Sequence, residues 1–443
     1  MKLKRLSAVF AAAALTFTLA ACSSDNGGGE QSDSTSDPSG EATESAAQTI
    51  TLAGWSLTTT PEFQLLVDGF NASQDNYQLE VQEYDATDYD TQLTADLSAG
   101  TAPDLYVLKN LKMFYTYQST GSLLDVSDVV AELPESISGT DPFIVDGLNY
   151  AVPYREDGWV LYYNKELFEK AGVDLPDGSW TWDDYSKAAK DLTEKLDGVK
   201  GTYMHNWQSL VQAFALAQVP GADFLSGNYD YQKEYYKRAL DLQDAGAQVD
   251  FGTITTNQLT YQGQFGTQEA AMMPMGSWYV ATLLAQQESG EADTFEWGMA
   301  PVPQYDASTT GTDKTPVTFG NPTAIGINAA IDESKIEGAR EFLKYAGSVE
   351  LGVELAKIGI TPAHTGDEIT EATFSIDGIP TDDLSKFALS VREIHPEQPA
   401  SEYTAEIENI LKDMHSEILT GGTSVDDGIK AASEQITKDV LGN

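Results

Sequence analysis

Tryptophan stands beside polar turns at several points in this sequence. Trp55 precedes Ser56-Leu57-Thr58-Thr59-Thr60, Trp207 sits inside His205-Asn206-Trp207-Gln208, and Trp278 follows Gly276-Ser277. An aromatic face stacks on the C–H face of a polyhydroxylated ring, and nearby amides, carboxylates and cations hydrogen-bond its hydroxyls. Residues do this where strands end and loops begin, so these positions are candidate contacts. The competing reading for each Trp is a core side chain. Lys109, Asn110 and Lys112, in a loop after Asp104, are further polar candidates.

Catalytic chemistry finds no comparable pattern. No Gly-x-Ser-x-Gly elbow, His-Glu-x-x-His or P-loop occurs. His205, His364, His395 and His415 lie in unrelated contexts without metal-ligand spacing, and His415 reads as a helix-face residue. With 69 acidic residues, pairs of carboxylates carry no information about glycoside hydrolysis. The expectation is a binding protein without metal or cofactor, with an exported glycosidase as the enzymatic alternative.

The elements that must position these residues follow from periodicity. Thr49–Trp55 alternates as a strand. Thr60-Pro61 starts a helix whose inner face is Phe63, Leu66, Val67 and Phe70. A strand over 78–84, a helix from Asp88 to Gly100 and a strand over 103–108 complete β-α-β-α-β. That order predicts an α/β fold with mostly parallel sheets flanked by helices. Asn164 caps a helix ending near Gly172. Thr181 and Asp184 open a capping-box helix with Trp182, Tyr185, Ala189, Leu192 and Leu196 inward. Further helices are expected near 206–218, 231–245 and 256–265. Strands are expected over 269–274, 296–301 and 323–328, with a helix from near Ser277. Ser334 and Glu337 read as a capping box, and two amphipathic helices close the chain.

Charge and cysteine usage bound the partners. Against 25 basic residues the 69 acids give a net charge of −44. Loss of residues 1–21, with Lys2, Lys4 and Arg5, would bring it to −47. Such a surface repels nucleic acid and anionic headgroups and suits solubility at a cell surface, or adaptation to high salt. Ala8–Ala20 is too short to span a membrane and fits a signal-peptide core. It ends in Leu19-Ala20-Ala21-Cys22, which resembles the bacterial lipobox, with Cys22 as the lipidated residue. Cys22 is the only cysteine, which excludes disulfides and thiolate metal sites. Residues 22–47 lack large apolar side chains and read as a tether reaching roughly 25–30 Å.

Four blocks in order resemble the family 1 extracellular solute-binding proteins, the group of the maltose-binding protein. They are Ala102-Pro103-Asp104-Leu105-Tyr106; Leu161-Tyr162-Tyr163-Asn164-Lys165-Glu166-Leu167-Phe168; Ala270-Ala271-Met272-Met273-Pro274-Met275-Gly276-Ser277-Trp278; and Ala339-Arg340-Glu341-Phe342-Leu343-Lys344-Tyr345. The resemblance implies a two-lobe periplasmic-binding-protein-like fold with the ligand cleft between the lobes. Lobe one would comprise 48–155 and 322–364, lobe two 156–321 and 365–443. It implies capture of a carbohydrate, an oligosaccharide in preference to a monosaccharide, by hinge closure, and delivery to the membrane permease subunits of an ABC importer. The chain would be a lipid-anchored monomer on the outer face of the cytoplasmic membrane. It also adds site residues. Asp157, seven residues before Asn164, matches an acidic sugar contact, with Arg155 beside it. Trp278 matches a stacking Trp. Asn321 falls at the second lobe crossing. Tyr403, with Gln398 nearby, falls where the maltose branch has a Trp, so that subsite departs from the pattern. Polyamine, iron and oxyanion are the alternative ligands; the acidic charge favours polyamine among them.

Overall fold

In β1 (Gln48–Trp55), Ile50, Leu52 and Ala53 are fully buried. The computed structural model describes residues 47–442 except 56, 58–60 and 87. The expected signal segment, Cys22 and nearly all of the tether lie outside the described residues, as does Thr60. β2 (Tyr77–Tyr84) and β3 (Leu105–Leu108) flank β1, both parallel to it. The helix Glu62–Ser73 packs Phe63, Leu66 and Phe70 on this sheet, with Val67 only half-buried. The helix Tyr89–Ala99 ends at Gly100, whose φ of 72° is the left-handed conformation that glycine takes without strain. A small hairpin, β4 (Ile144–Val145) with β5 (Leu148–Asn149), stands apart from the main sheet.

Two large hydrophobic cores, with a small third cluster at Ala356, Ile369 and Ala372, lie within the unit Ala46–Asn443. The long strand β6 (Val152–Asn164) joins them: Val152 and Tyr154 belong to the first core, Trp159–Tyr163 to the second. The second core adds β7 (Lys200–Thr202), β8 (Ala270–Gly276) and β9 (Trp297–Pro301). β10 (Val317–Ile327) runs back, with Phe319 in the second core and Ala324, Ile325 and Ile327 in the first. β11 (Glu393–Pro396) lies parallel to β10. The sheet order is β2-β1-β3-β10-β6-β8-β7, with β9 on β6. Outer pairs are parallel, as βαβ units require, whereas β6 and β10 run antiparallel to each other and to their other neighbours β3, β8 and β9. The fold is therefore α/β with two lobes and a mixed sheet.

Local signals place several elements. Asn164 accepts from the Leu167 N–H at 3.0 Å and Gly172 closes the helix Lys165–Ala171. The capping box at Thr181 is complete, and Trp182, Tyr185, Ala189 and Leu192 are buried. Other expectations need correction. The helix near 256–265 is two helices, Phe251–Asn257 and Tyr261–Gly266, broken where Gln258 has φ 51° and restarted by Thr260 as cap. Asp332, not Ser334, accepts the capping hydrogen bond ahead of the helix Ile336–Ala346, because a 3-10 turn, Glu333–Lys335, comes first. β10 begins at Val317, six residues before the expected Thr323. His415 faces inward from the helix Thr404–Leu419 and packs against Tyr236 and Phe251.

Candidate functional site

Where β6 and β10 pass between the cores, Asn321 is opposite Asp157 and Thr323 opposite Arg155. Opposed residues share a face, as do residues two apart on a strand. One face of the crossing thus carries Arg155, Asp157 and Asn321; the other carries Glu156, Gly158 and Gly320.

On the first face, Arg155 is held between two carboxylates. Its Nη1 pairs with Glu62, a fully buried residue in the first turn of the helix Glu62–Ser73. Its Nε and Nη2 donate to Asp157 Oδ2 at 2.9 and 2.5 Å. The Tyr154 hydroxyl donates to Glu62 Oε1 at 2.9 Å, and the Ser277 hydroxyl to Asp157 Oδ1 at 3.0 Å. Thr361 extends the chain by donating to Ser277 Oγ at 2.7 Å. Burial opposes the charge on Arg155, but Asp157 and Glu62 outweigh it and hold the guanidinium proton more firmly than usual. Arg155 and Asp157 are therefore neighbours in one buried network, and Glu62 is its third charged member.

An aromatic group borders this network. Trp159 is buried, with its ring 5.5 Å from that of Trp278 and 6.3 Å from that of Trp207, both near-perpendicular. Tyr261 lies 5.7 Å from Trp207. Trp207 is 38% exposed, so it presents its ring to solvent although it belongs to this cluster. Trp278 is half-buried and folds back over the backbone of Gly276, where an added Cβ would lie 1.9 Å from the ring. Glycine is thus required for this ring position. His205 touches Trp207 edge-on and bonds the Tyr203 hydroxyl at 2.8 Å; burial pushes its imidazole down to about 4, so it is neutral at pH 7.

The remaining candidates are distributed around these groups. Trp55 contacts Phe63 and Tyr89 edge-on, and Lys109 Nζ sits 4.4 Å from its ring centroid. Asn110 caps the helix Leu111–Ser119 by accepting from the Met113 N–H at 3.2 Å, while its amide donates to Asp90 at 3.1 Å. Asn321 donates to Glu397 Oε2 at 2.9 Å and accepts from the Glu397 N–H. Glu397 stands near Glu408, which pairs with Lys112 at 3.4 Å. Tyr403 is half-buried at the start of the helix Thr404–Leu419.

Glu62, Tyr261 and Glu397 are not marked as site residues by the sequence pattern. An acid in the first turn of a helix, as Glu62 is, is favoured by the helix dipole and needs no partner to explain it. Tyr261 was hidden inside an expected continuous helix; Thr260, a good N-cap, was the available signal. Glu397 shows no sequence signal, because Asn321 lies 76 residues away. Among the described residues no group of His, Cys, Asp and Glu is arranged to hold a metal ion.

Two α/β lobes joined by crossing strands, with indole rings beside a hydrogen-bonding network, define a cleft-type solute-binding protein. The profile of the bacterial extracellular solute-binding protein family matches residues 54–351, more than half of the chain. This chain belongs to that family; it is a binding protein and not an enzyme. The sn-glycerol-3-phosphate-binding periplasmic protein UgpB of Escherichia coli (strain K12) is 24% identical over 341 residues, 71% of this chain and 72% of that protein. The diacetylchitobiose binding protein DasA of Streptomyces coelicolor is 28% identical over 288 residues, 61% of this chain and 63% of that protein. A sugar transporter structure from Rhizobium etli, in an open conformation, superposes with TM-score 0.76 at 28% identity, covering 88% of this chain and 99% of that one. A Listeria monocytogenes substrate-binding protein in complex with cycloalternan gives TM-score 0.74 at 21% identity, covering 90% of this chain and 100% of that one.

Proposed function

We propose that the chain captures an oligosaccharide between its lobes and delivers it to an ABC import permease. The observation that carries this reading is the group Trp159, Trp207, Tyr261 and Trp278 beside the Glu62–Arg155–Asp157 network. Rings supply stacking area and the network supplies fixed donors and acceptors, the combination that a neutral polyhydroxylated ligand needs. UgpB, by its name, binds a phosphate ester. Here the donor edges of Arg155 are already covered by two carboxylates, which argues against a phosphate contact at that point. DasA, by its name, binds diacetylchitobiose, a neutral disaccharide.

The proposed contacts are Trp55, Asn110, Arg155, Asp157, Trp207, Trp278, Asn321 and Tyr403. Asn110 and Asn321 are the weakest of them, since both ends of each amide are engaged, the first by the helix cap and Asp90 and the second by Glu397. The lobes would be 48–155 with 322–364, and 156–321 with 365–443, consistent with the strands on which the two cores meet. Lipid attachment at Cys22 and a monomeric state complete the reading. No helix among the described residues is long and apolar enough to cross a membrane, and a lipid on Cys22 would supply the attachment.

Thermal-shift measurements over mono- and oligosaccharides, with polyamines as controls, test the ligand. A ligand at 100 times its dissociation constant should stabilise the fold by roughly 2.7 kcal/mol. Larger shifts with any monosaccharide than with every oligosaccharide would sink the oligosaccharide assignment. Shifts with polyamines alone would sink the carbohydrate one.

A further inference from the structure

The crossing strands have a second face, and a cavity of about 430 Å³ lies against it. Its walls include Glu156 of β6, Ser277, Thr361 and the segment around Arg392 that leads into β11. Two opposite charges line this cavity. Glu156 accepts from the Ser138 hydroxyl at 2.6 Å through Oε2, which leaves Oε1 without a hydrogen-bond partner among the described residues. Arg392 donates through Nη1 to the carbonyl oxygens of Leu389 and Ala388, which leaves the Nε–Nη2 edge without a hydrogen-bond partner there. Among the described residues neither side chain forms an ion pair, with the other or with a third group.

The guanidinium reaches this position because Gly158 has no side chain. A Cβ there would stand 2.8 Å from Arg392 Nε. Burial draws the Arg392 pKa below its usual value, and the neighbouring Glu156 and Asp157 only partly offset this. A partly buried cation with an open bidentate edge gains from a ligand that completes it. Arginine presents that edge in a geometry matched to a carboxylate. Ile369, Phe374 and Ile394 supply an apolar wall.

We propose that this cavity is a second ligand site, for a small zwitterion of the amino-acid type. The carboxylate lies on the Nε–Nη2 edge of Arg392, the ammonium on Glu156, and the apolar part against Ile369, Phe374 and Ile394. The site is distinct from the aromatic cleft, but Ser277 touches both: it lines the cavity and donates to Asp157 on the opposite face.

A thermal-shift screen of the full chain against each protein amino acid, at about 10 mM, should find at least one that raises the unfolding midpoint. Calorimetry with that amino acid should show saturable binding. Its amide, which lacks the carboxylate, and its deaminated acid, which lacks the ammonium, should each bind at least about tenfold more weakly. Arg392→Lys keeps the charge and loses the fork, and Glu156→Gln keeps the shape and loses the charge. Each should weaken binding by a similar factor, whereas Trp278→Ala should leave it unchanged. A chain that binds no amino acid overturns the proposal. So does equal binding of either analogue, or binding that is indifferent to whichever of the two variants folds.

Discussion

The ring of Trp278 lies on the bare backbone of Gly276, near-perpendicular to that of Trp159, and it stays half-buried. Truncating a well-packed aromatic anchor typically costs about 2 kcal/mol or more, roughly 30-fold in affinity. Trp278→Ala should therefore weaken sugar binding by at least about tenfold. Its apo stability should fall by less than the roughly 3–5 kcal/mol expected for a fully buried tryptophan. Unfolding and titration of the same variant decide: a large stability loss with near-normal affinity would make Trp278 a core residue. Arg155, also a proposed contact, should cost the fold more than Trp278 does. Its removal leaves Glu62 buried with the Tyr154 hydroxyl and no ion-pair partner among the described residues. Arg155→Ala should cost about 3–5 kcal/mol in urea unfolding; a loss below about 1 kcal/mol would mean that the guanidinium does not hold the fold. Trp207 and Trp278 could be picked out in the sequence because small or polar neighbours mark them as lying at element ends. Glu62 could not, because a buried carboxylate is recognised only by its partner, and Arg155 is 93 residues away.

Helix boundaries were readable wherever the cap is made by the residues next to it. Thr181 with Asp184, Asn164 and Gly172 all behave as local chemistry dictates. Thr181→Ala removes one half of the capping box and should cost about 1 kcal/mol of stability. Sugar affinity should stay within about twofold, since this helix contributes no candidate contact; calorimetry on the variant checks it, and a larger change would tie the helix to the cleft. The crossing strands were harder to read. β6 and β10 are buried on both faces over most of their length, so the inside–outside alternation that marks a half-exposed strand is absent. β10 was accordingly read only from Thr323, and β6 was seen as a motif and not as a strand. The break at Gln258 was missed for a different reason. A non-glycine residue at φ 51° has no composition signal, yet it ends the first helix, and Thr260 then starts the one that brings Tyr261 to Trp207.

The two-lobe arrangement follows from no single periodic pattern; it depends on two strands passing from one core to the other, and only the order of the sequence blocks pointed to it. The anchor is a separate unit. Cys22→Ser should move the protein from the membrane fraction to the medium with unchanged sugar affinity, and membrane recovery equal to that of the parent would disprove lipidation there. The two cores also meet through charge. Lys112, on the helix Leu111–Ser119 that packs in the first core, pairs with Glu408, on the helix Thr404–Leu419 of the second. Behind Glu408 lies Glu397, held by Asn321 of β10. Burial pushes the Glu397 carboxyl up to about 7, and Glu408 adds to this against hydrogen bonds from Ser209 and Asn321. Glu408 is pushed up too, with Lys112 pulling it back. The folded state thus binds a proton on Glu397 more tightly than the unfolded chain, whose value is the ordinary 4.5. Below pH 4.5 both states are protonated and the contribution to stability is fully present. Between about 4.5 and 7 the unfolded chain releases its proton first, so stability falls as pH rises, by an amount bounded at roughly 3 kcal/mol. Above pH 7 the loss is complete and constant. Glu397→Gln keeps the bond to Asn321 and cannot ionise. Its unfolding free energy relative to the parent should rise across that window and level off beyond it. Urea unfolding of both chains at intervals from pH 4 to 8 measures the difference, and a difference that does not change with pH would show that Glu397 is solvated like an ordinary surface acid.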